Sequence, residues 1–380
     1  MMSKRSKREL AEEIYPRYLQ ARKTDKIKIL DEFTAATGYH RKYAIKLLKH
    51  GMKRKGYRRP GRKKKYHGEV ITVLEMIWET CGRICSKRLH PFLPEMVTVL
   101  ERVGALSCSP ETKTLLLSMS RSTIDRCLKN ARYTHQKGIS TTKPGTLLKK
   151  SIPVRTWHEW DDSTPGFMEM DLVAHCGDNN AVGQFIYTLT AVDVSTGWTE
   201  CLAIPNKTQV AVSTAIKAMR LRLPFPLLGI DCDNGSEFIN DLLYRYCLEE
   251  KITFTRSRPY KKNDQAYVEQ KNGSVVRNTV GYERFETEED LRLLQLVYEY
   301  LHVYVNFFQP VMKLIKKERI DGRTVKVYDQ ATSPYRRVLA SADVAFEHKA
   351  SLSNLYVRLN PVNLRKNVDL NVGKLWKIAK

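Results

Sequence analysis

The feature that most constrains the fold is a change of hydrophobic pattern close to residue 166. Upstream, apolar residues recur at helical spacing, whereas Gly166–Phe285 begins with short runs of alternating, β-branched and aromatic residues bounded by turn signals. The pattern predicts three consecutive strands, then helix, strand, helix, strand and helix. The predicted strands cover residues 166–176, 184–194, 197–205, 226–233 and 252–257, and the predicted helices cover 207–221, 236–249 and 263–279.

This order of elements is that of a ribonuclease-H-like α/β core. Three acidic residues lie on elements that such a core brings together. Asp171 lies within the first strand, Asp233 lies just past the fourth strand, and Glu269 lies on the last helix. There are 61 residues between the first two acids and 35 between the last two. A single Asp in a strand is usually an edge or turn residue, but three acids on these elements predict a shared site.

Other polar residues in the same region offer weaker alternatives. Asp231 competes with Asp233, although it belongs to an apolar strand and would leave 37 residues before Glu269. His175 and Cys176 lack further ligands at zinc-binding spacing, so we interpret them as polar loop and packing residues. Asp193 is expected to organise a hairpin turn, with a catalytic part as the minor alternative.

The amino-terminal part predicts helical DNA-binding modules. Residues 1–52 read as a helix-turn-helix in which Gly38 provides the turn and the second helix begins close to residue 40. The candidate DNA contacts at its start are Tyr39, His40, Arg41, Lys42 and Lys46. Residues 53–66 predict a basic linker, either a solvated tether or, as its position favours, a segment that lies in a narrow minor groove. Its candidate DNA contacts are Arg58, Arg59, Arg62 and Lys63.

Residues 67–135 predict a second helical module that is similar to a helix-turn-helix, with a purely structural spacer as an equal alternative. In its last part Ser120 can cap a helix with Ile124 and Leu128 inward and with Arg121, Arg126 and Lys129 outward. Periodicity then fades, and residues 136–160 are expected to be a linker.

Composition limits the class of protein. The 380 residues carry a net charge of +24, and hydrophobic residues make up 42%, which favours folded domains with a polyanion as partner. No apolar run approaches the ~20 residues of a membrane span, and we expect no membrane association. Neither a secretory signal nor a C-x-x-C pair is present, which favours a cytoplasmic protein without a thiolate zinc site.

Specific motifs within residues 161–286 give a resemblance. The DNGSEF and RSRPYKKND-x-A-x-VEQKN segments, with the three acids at their spacing, resemble the integrase core of retroviral integrases and of bacterial insertion-sequence transposases. The resemblance covers roughly Trp157–Phe285, and the amino-terminal ILDEF…TGYHRKYAIKLL segment is similar to those transposases as well. It implies a DDE transposase in the bacterial cytoplasm, associated with the nucleoid.

The resemblance also implies the chemistry. Asp171, Asp233 and Glu269 would be both the catalytic residues and the ligands of two Mg²⁺ ions, for which Mn²⁺ can substitute. The substrates would be double-stranded transposon ends, nicked hydrolytically, and target DNA, joined to the freed 3′-hydroxyl groups. We expect a homo-oligomer on DNA and no small-molecule substrate.

Basic residues around Glu269 are further candidate DNA contacts. They are Lys261, Lys262, Lys271 and Arg277, and helical spacing suggested that such residues share the face of the catalytic acid. Residues 287–380 predict a mixed α/β accessory region with an amphipathic helix and a basic hairpin. Two alternative functions stay open: a metal-dependent nuclease or resolvase of the same fold, and a catalytically silent DNA-binding regulator descended from a transposase.

Overall fold

The computed structural model describes residues 2–51, 65–133, 163–178, 183–233, 235–257, 265–320 and 323–379. These residues form two compact units, Met1–Lys65 and Tyr66–Lys380. Each unit has a hydrophobic core of its own.

The first unit is a bundle of three helices. They are α1 (Lys4–Gln20), α2 (Lys23–Thr37) and α3 (Arg41–His50). Gly38 ends α2 with a left-handed backbone (φ 67°), which a residue without a Cβ adopts at no steric cost, so α3 can turn back onto α2. The five buried residues of the core are Ala11, Leu30, Phe33, Ala44 and Leu48. Four of these belong to α2 and α3, and Ala11 shows that α1 packs against that pair.

The second unit contains a five-stranded mixed sheet. Its strands are β1 (Phe167–Ala174), β2 (Tyr187–Asp193), β3 (Thr199–Ile204), β4 (Gly229–Cys232) and β5 (Thr253–Arg256). Their order across the sheet is β3-β2-β1-β4-β5. The first three strands pair antiparallel, whereas β4 and β5 add in parallel on the other side of β1. The predicted ribonuclease-H-like α/β core is therefore confirmed, and β1 lies at its centre.

Helices precede, interrupt and follow this sheet. Before the sheet come α4 (Glu69–Thr80), α5 (Ser86–Arg102), α6 (Pro110–Leu117), α7 (Arg121–Cys127) and α8 (Lys129–Tyr133). Within the core lie α9 (Gln209–Arg220), α10 (Asp241–Glu249), α11 (Ala266–Lys271), a π-helical segment (Asn272–Arg277) and α12 (Asn278–Val280). The last part has α13 (Glu288–Phe308), the hairpin β6 (Leu314–Ile320) and β7 (Arg323–Tyr328), α14 (Pro334–Ala340), α15 (Phe346–Arg358) and α16 (Pro361–Ile378).

Helices α4–α8 share one hydrophobic core with the sheet and with the carboxyl-terminal helices. The Tyr304 hydroxyl of α13 donates to the Thr80 carbonyl (2.7 Å), Gln309 donates to the Cys81 carbonyl (2.7 Å), and Arg88 donates to the Pro310 carbonyl (2.5 Å). The segment that we predicted as a second module therefore belongs to the same compact unit as the core. Its α7 has the predicted form, since Ser120 caps it and Ile124 and Leu128 are buried.

Two predicted helices differ from those observed. The helix expected from residue 236 begins only at Asp241, because the Asn240 side chain accepts from the Leu243 amide (2.9 Å) and donates to the Glu237 carbonyl (2.8 Å). The last helix of the core is broken into α11, the π-helical segment and α12. A π-helical turn accommodates a residue more than an α-helical turn and is frequent at functional sites.

In the part of the chain that the structure describes, no helix is both long and apolar enough to cross a membrane.

Candidate active site

The pairing of β1 with β4 brings the first two acids together. The parallel register joins Phe167 to Gly229 and continues to Met170 opposite Cys232. Asp171 is the next residue along β1, and Asp233 is the residue that directly follows β4. Because neighbouring strands are ~4.8 Å apart, this register brings the two residues near each other at this end of the sheet.

The pKa of Asp171 reflects the nearby charge of Asp233. Burial, the charge of Asp233 and the charge of Glu269 raise the pKa of Asp171 to about 7. Burial, together with the charge of Glu237, raises the pKa of Asp233, which Lys207 and a hydrogen bond from the Gly235 amide (2.9 Å) oppose. Carboxylates that share a site disfavour each other's ionisation, and a bound cation reverses that effect.

Two contacts between β1 and the last helix of the core flank the third acid. Glu169 of β1 accepts hydrogen bonds from the Tyr267 amide (2.9 Å) and the Val268 amide (3.1 Å) in the first turn of α11. Asp171 accepts from the Asn272 side-chain amide (2.7 Å) at the start of the π-helical segment. Glu269 lies between these contacts in sequence and is exposed.

Glu237 is a fourth acid at this end of the sheet, and it was not among the predicted site residues. A Cβ added at Gly235 would lie 2.7 Å from the Glu237 carboxyl carbon and 2.9 Å from an Asp233 carboxylate oxygen. The two carboxylates therefore lie close to the Cα of Gly235. A larger residue there would displace the end of the Glu237 or Asp233 side chain.

The donor set suits a hard divalent cation. Carboxylate and amide oxygens are what Mg²⁺ prefers, and the buried Asn272 side-chain oxygen has no hydrogen-bond partner among the described residues. Asp171 and Asp233 would hold such an ion, with Asn272 beside it. Among the residues described, no three His, Cys, Asp or Glu side chains are grouped closely enough to hold one ion. Glu269 must therefore approach the two aspartates for all three acids to act together.

The alternative residues have structural partners. Asp231 is buried on β4 and accepts from the Thr255 hydroxyl (2.7 Å). Asp193 accepts from the Gly166 amide (2.8 Å) and from the Thr196 amide (2.7 Å), which organises the turn after β2 as predicted. His175 is buried, bonds the Thr188 hydroxyl (2.7 Å) and has its pKa lowered to about 3 by desolvation. It is thus a neutral packing residue.

The candidate DNA contacts of the first unit lie at the start of α3. His40, Arg41, Lys42 and Lys46 are exposed there, although Arg41 also pairs with Asp31 of α2. Tyr39 is half-buried, and its ring contacts those of Phe33 and Tyr43. The linker candidates Arg58, Arg59, Arg62 and Lys63, and the core candidates Lys261 and Lys262, lie outside the described residues.

The structure corrects one predicted DNA contact. Lys271 is only 5% exposed, and burial lowers the pKa of its amine to about 7. The prediction for Lys271 was wrong because its side chain faces the protein interior. Arg277 is half-buried, and its guanidinium donates to the Ala174 carbonyl (2.7 Å) and the Gly281 carbonyl (3.3 Å), so it ties the end of β1 to the end of α12. Its contact with DNA stays a prediction.

We expect Lys271→Met to leave DNA affinity within about twofold of the wild type, because the amine does not reach the surface. In the wild type the lowered pKa means that the unfolded chain holds the extra proton between pH 7 and pH 10.5, so Lys271 makes stability rise with pH across this window. The variant should lack that rise. Fluorescence anisotropy with labelled DNA and urea unfolding at pH 7 and 9.5 measure both effects, and a large loss of affinity would restore Lys271 as a DNA contact.

Comparisons with known proteins agree with this geometry. Residues 162–262 match the model of the integrase core domain, a span that contains Asp171 and Asp233 and ends before Glu269. The chain is 40% identical over 338 residues to the uncharacterized protein y4rM of Sinorhizobium fredii, with 88% of this chain and 96% of that protein covered.

Solved structures that match include two retroviral catalytic cores. The BIV integrase core is 20% identical, with 49% of this chain and 98% of that chain covered and a TM-score of 0.32. The HTLV-2 integrase core, solved in complex with magnesium, is 16% identical, with 43% and 96% covered and a TM-score of 0.29.

The sheet topology, the paired aspartates and the matching family model define an integrase core domain of the ribonuclease-H-like fold. The chain belongs to the same family as the rhizobial relative, and its residues 162–262 carry the match to the integrase core domain.

Proposed function

We propose that this protein is a DNA transposase that binds the ends of an insertion sequence, nicks them by hydrolysis and joins the 3′-hydroxyl ends to target DNA. The observation that carries the proposal is that Asp171 and Asp233 each follow the last paired residues of β1 and β4, Met170 and Cys232, and that both have raised pKa values. No basic side chain forms an ion pair with either aspartate among the described residues. Such an arrangement is unfavourable for the fold alone and becomes favourable around a cation.

Asp171, Asp233 and Glu269 would hold two divalent ions, Mg²⁺ by preference. These ions would polarise the scissile phosphate and neutralise the charge that builds on it in the transition state. Asp171 is central because the charges of both Asp233 and Glu269 act on it. Its carboxylate accepts from Asn272 and would keep further lone pairs for an ion.

The first unit supports DNA as the partner. Residues 1–65 contain 22 Lys and Arg against 6 Asp and Glu, so this short segment carries most of the net charge of the chain. Cations at the start of α3 are exposed in the place where a recognition helix contacts phosphates and base edges. We propose that this unit binds the transposon end, and that two copies of the chain bring two ends together.

The experiment is an end-cleavage and strand-transfer assay with the full chain. Purified protein is incubated with DNA that carries the terminal repeats of its element, with Mg²⁺, Mn²⁺ or EDTA, and with pre-cut ends in a parallel reaction. We expect nicking and joining in either metal and none in EDTA. Cutting without joining of pre-cut ends would favour a nuclease or resolvase, and tight binding without any product would favour a silent regulator.

A further inference from the structure

Glu169 stands out among the buried acidic residues because two of its partners are backbone amides of the helix that carries Glu269. The side chain is only 1% exposed. It accepts from the Tyr267 amide at 2.9 Å and from the Val268 amide at 3.1 Å. Both amides belong to the first turn of α11, where a helix has no internal acceptors for its N–H groups.

The helix needs this external acceptor. Its own capping residue, Gln265, makes no side-chain cap hydrogen bond. α11 has six residues before the π-helical segment begins, and so short a helix has little stability of its own in water. A carboxylate at the amino-terminal end also interacts favourably with the helix dipole. The start of α11 is therefore fixed to β1 through Glu169.

The strand geometry links this contact to the site. Side chains two residues apart on a strand point to the same face, so Glu169 and Asp171 face α11 together. The contact of Asp171 with Asn272 uses an oxygen of a proposed ligand, whereas the contact of Glu169 uses none. Glu169 is then the contact that keeps the backbone next to Glu269 at a fixed distance from β1.

We propose that Glu169 is a positioning residue that holds α11 so that Glu269 can reach the divalent cations at Asp171 and Asp233. This inference rests on the proposed function, since it assigns Glu269 as a ligand. Glu169 does not touch the ions or the DNA. It acts through the Tyr267 and Val268 amides, in the way that groups outside a coordination sphere orient the ligands within it.

The test measures Mn²⁺ binding to the full-length protein, by electron paramagnetic resonance of the free ion, without DNA and without turnover. Glu169→Met keeps the volume and removes the acceptor, and we expect it to weaken Mn²⁺ binding about 10- to 100-fold. Glu169→Gln keeps an acceptor oxygen and should stay within about threefold of the wild type. Adding Gln265→Asp to Glu169→Met supplies a local cap for the same two amides and should recover most of the loss.

Melting temperatures separate positioning from a merely structural role. If Glu169→Met melts earlier but the folded protein binds Mn²⁺ as the wild type does, the proposal is overturned. If Glu169→Met does not fold, Glu169→Asp is measured in its place. Its side chain is one methylene shorter, so its carboxylate no longer reaches the two amides. Unchanged Mn²⁺ affinity in that variant would again overturn the proposal. A wild type that binds no Mn²⁺ would instead reject the proposed metal site itself, and with it this inference.

Discussion

Asp171→Asn is expected to lower the rate of end nicking by about 1000-fold or more, while the metal-free protein stays at least as stable as the wild type. The loss follows because the Asp171 carboxylate would ligate the cations that neutralise the transition state. The stability follows because the neutral amide removes a buried charge that Asp233 and Glu269 repel. A combination of lost activity and unchanged or raised melting temperature distinguishes a site residue from a fold residue.

The pH dependence gives this prediction a second readout. The pKa of Asp171 is about 7 in the folded protein and near 3.8 when unperturbed, so the folded state holds the extra proton between these values. Above pH 7 both states are ionised and the cost of the buried charge is fully present; below pH 3.8 both are neutral and the cost vanishes. The stability advantage of Asp171→Asn should therefore be largest near pH 8 and disappear near pH 4.

Asp241→Asn is the matched control. Asp241 has the same side chain, lies in the same core and is largely exposed beside Arg245 on α10. We expect nicking within about twofold of the wild type and a small change of stability, because exposed pairs contribute at most about 1 kcal/mol. Loss of nicking in both variants would mean that the assay responds to any change of charge, and retained nicking in Asp171→Asn would contradict the site.

Removal of residues 1–65 is expected to weaken binding to transposon-end DNA by about 1000-fold, close to the level of non-specific binding. The truncated chain begins at the boundary between the two units and keeps a net charge of only +8 from the original +24. The dependence of affinity on salt should also become shallower, since each phosphate contact contributes about 0.9 to its logarithmic slope. Titrations at several salt concentrations measure both quantities.

Point variants locate the effect within the first unit. Lys42→Gln with Lys46→Gln should lower affinity about 10-fold and reduce the salt slope, whereas Lys374→Gln, an exposed lysine on α16, should do neither. If the truncated chain still bound its ends at full strength, recognition would belong to residues 66–380. The exposed cations Arg121 and Arg126 of α7 and Lys129 of α8 would then be the first to replace.

Much of the fold and the central pair of acids could be predicted from the sequence. Alternating apolar residues predicted the strands, and Asp171 and Asp233 follow the same number of residues after the paired Phe167 and Gly229. The local hydrophobic pattern predicts the strands and their ends because the face to which a strand residue points depends on its neighbours in sequence. The contacts of Glu169 with α11 depend on residues almost a hundred positions apart, and no local pattern contains them.

Lys271 shows how a prediction from charge can miss geometry. Its position two residues after Glu269 turns it by about 200° around a helix, so an exposed Glu269 already implies an inward Lys271. The positive charge of Lys271 favours a DNA contact but does not determine the direction in which its side chain leaves the helix. The later start of α10 has a different cause, because the capping role of Asn240 depends on the turn that precedes it.

The hydrogen bonds from Tyr304, Gln309 and Arg88 that fasten α4 and α5 to the rest of the second unit have a mechanical consequence. Helices held in this way would move together with the sheet that carries Asp171. A DNA duplex bound by the exposed cations of α7 would therefore stay at a constant distance from Asp171. The fold would then fix the number of base pairs between the segment bound at α7 and the position of the cut.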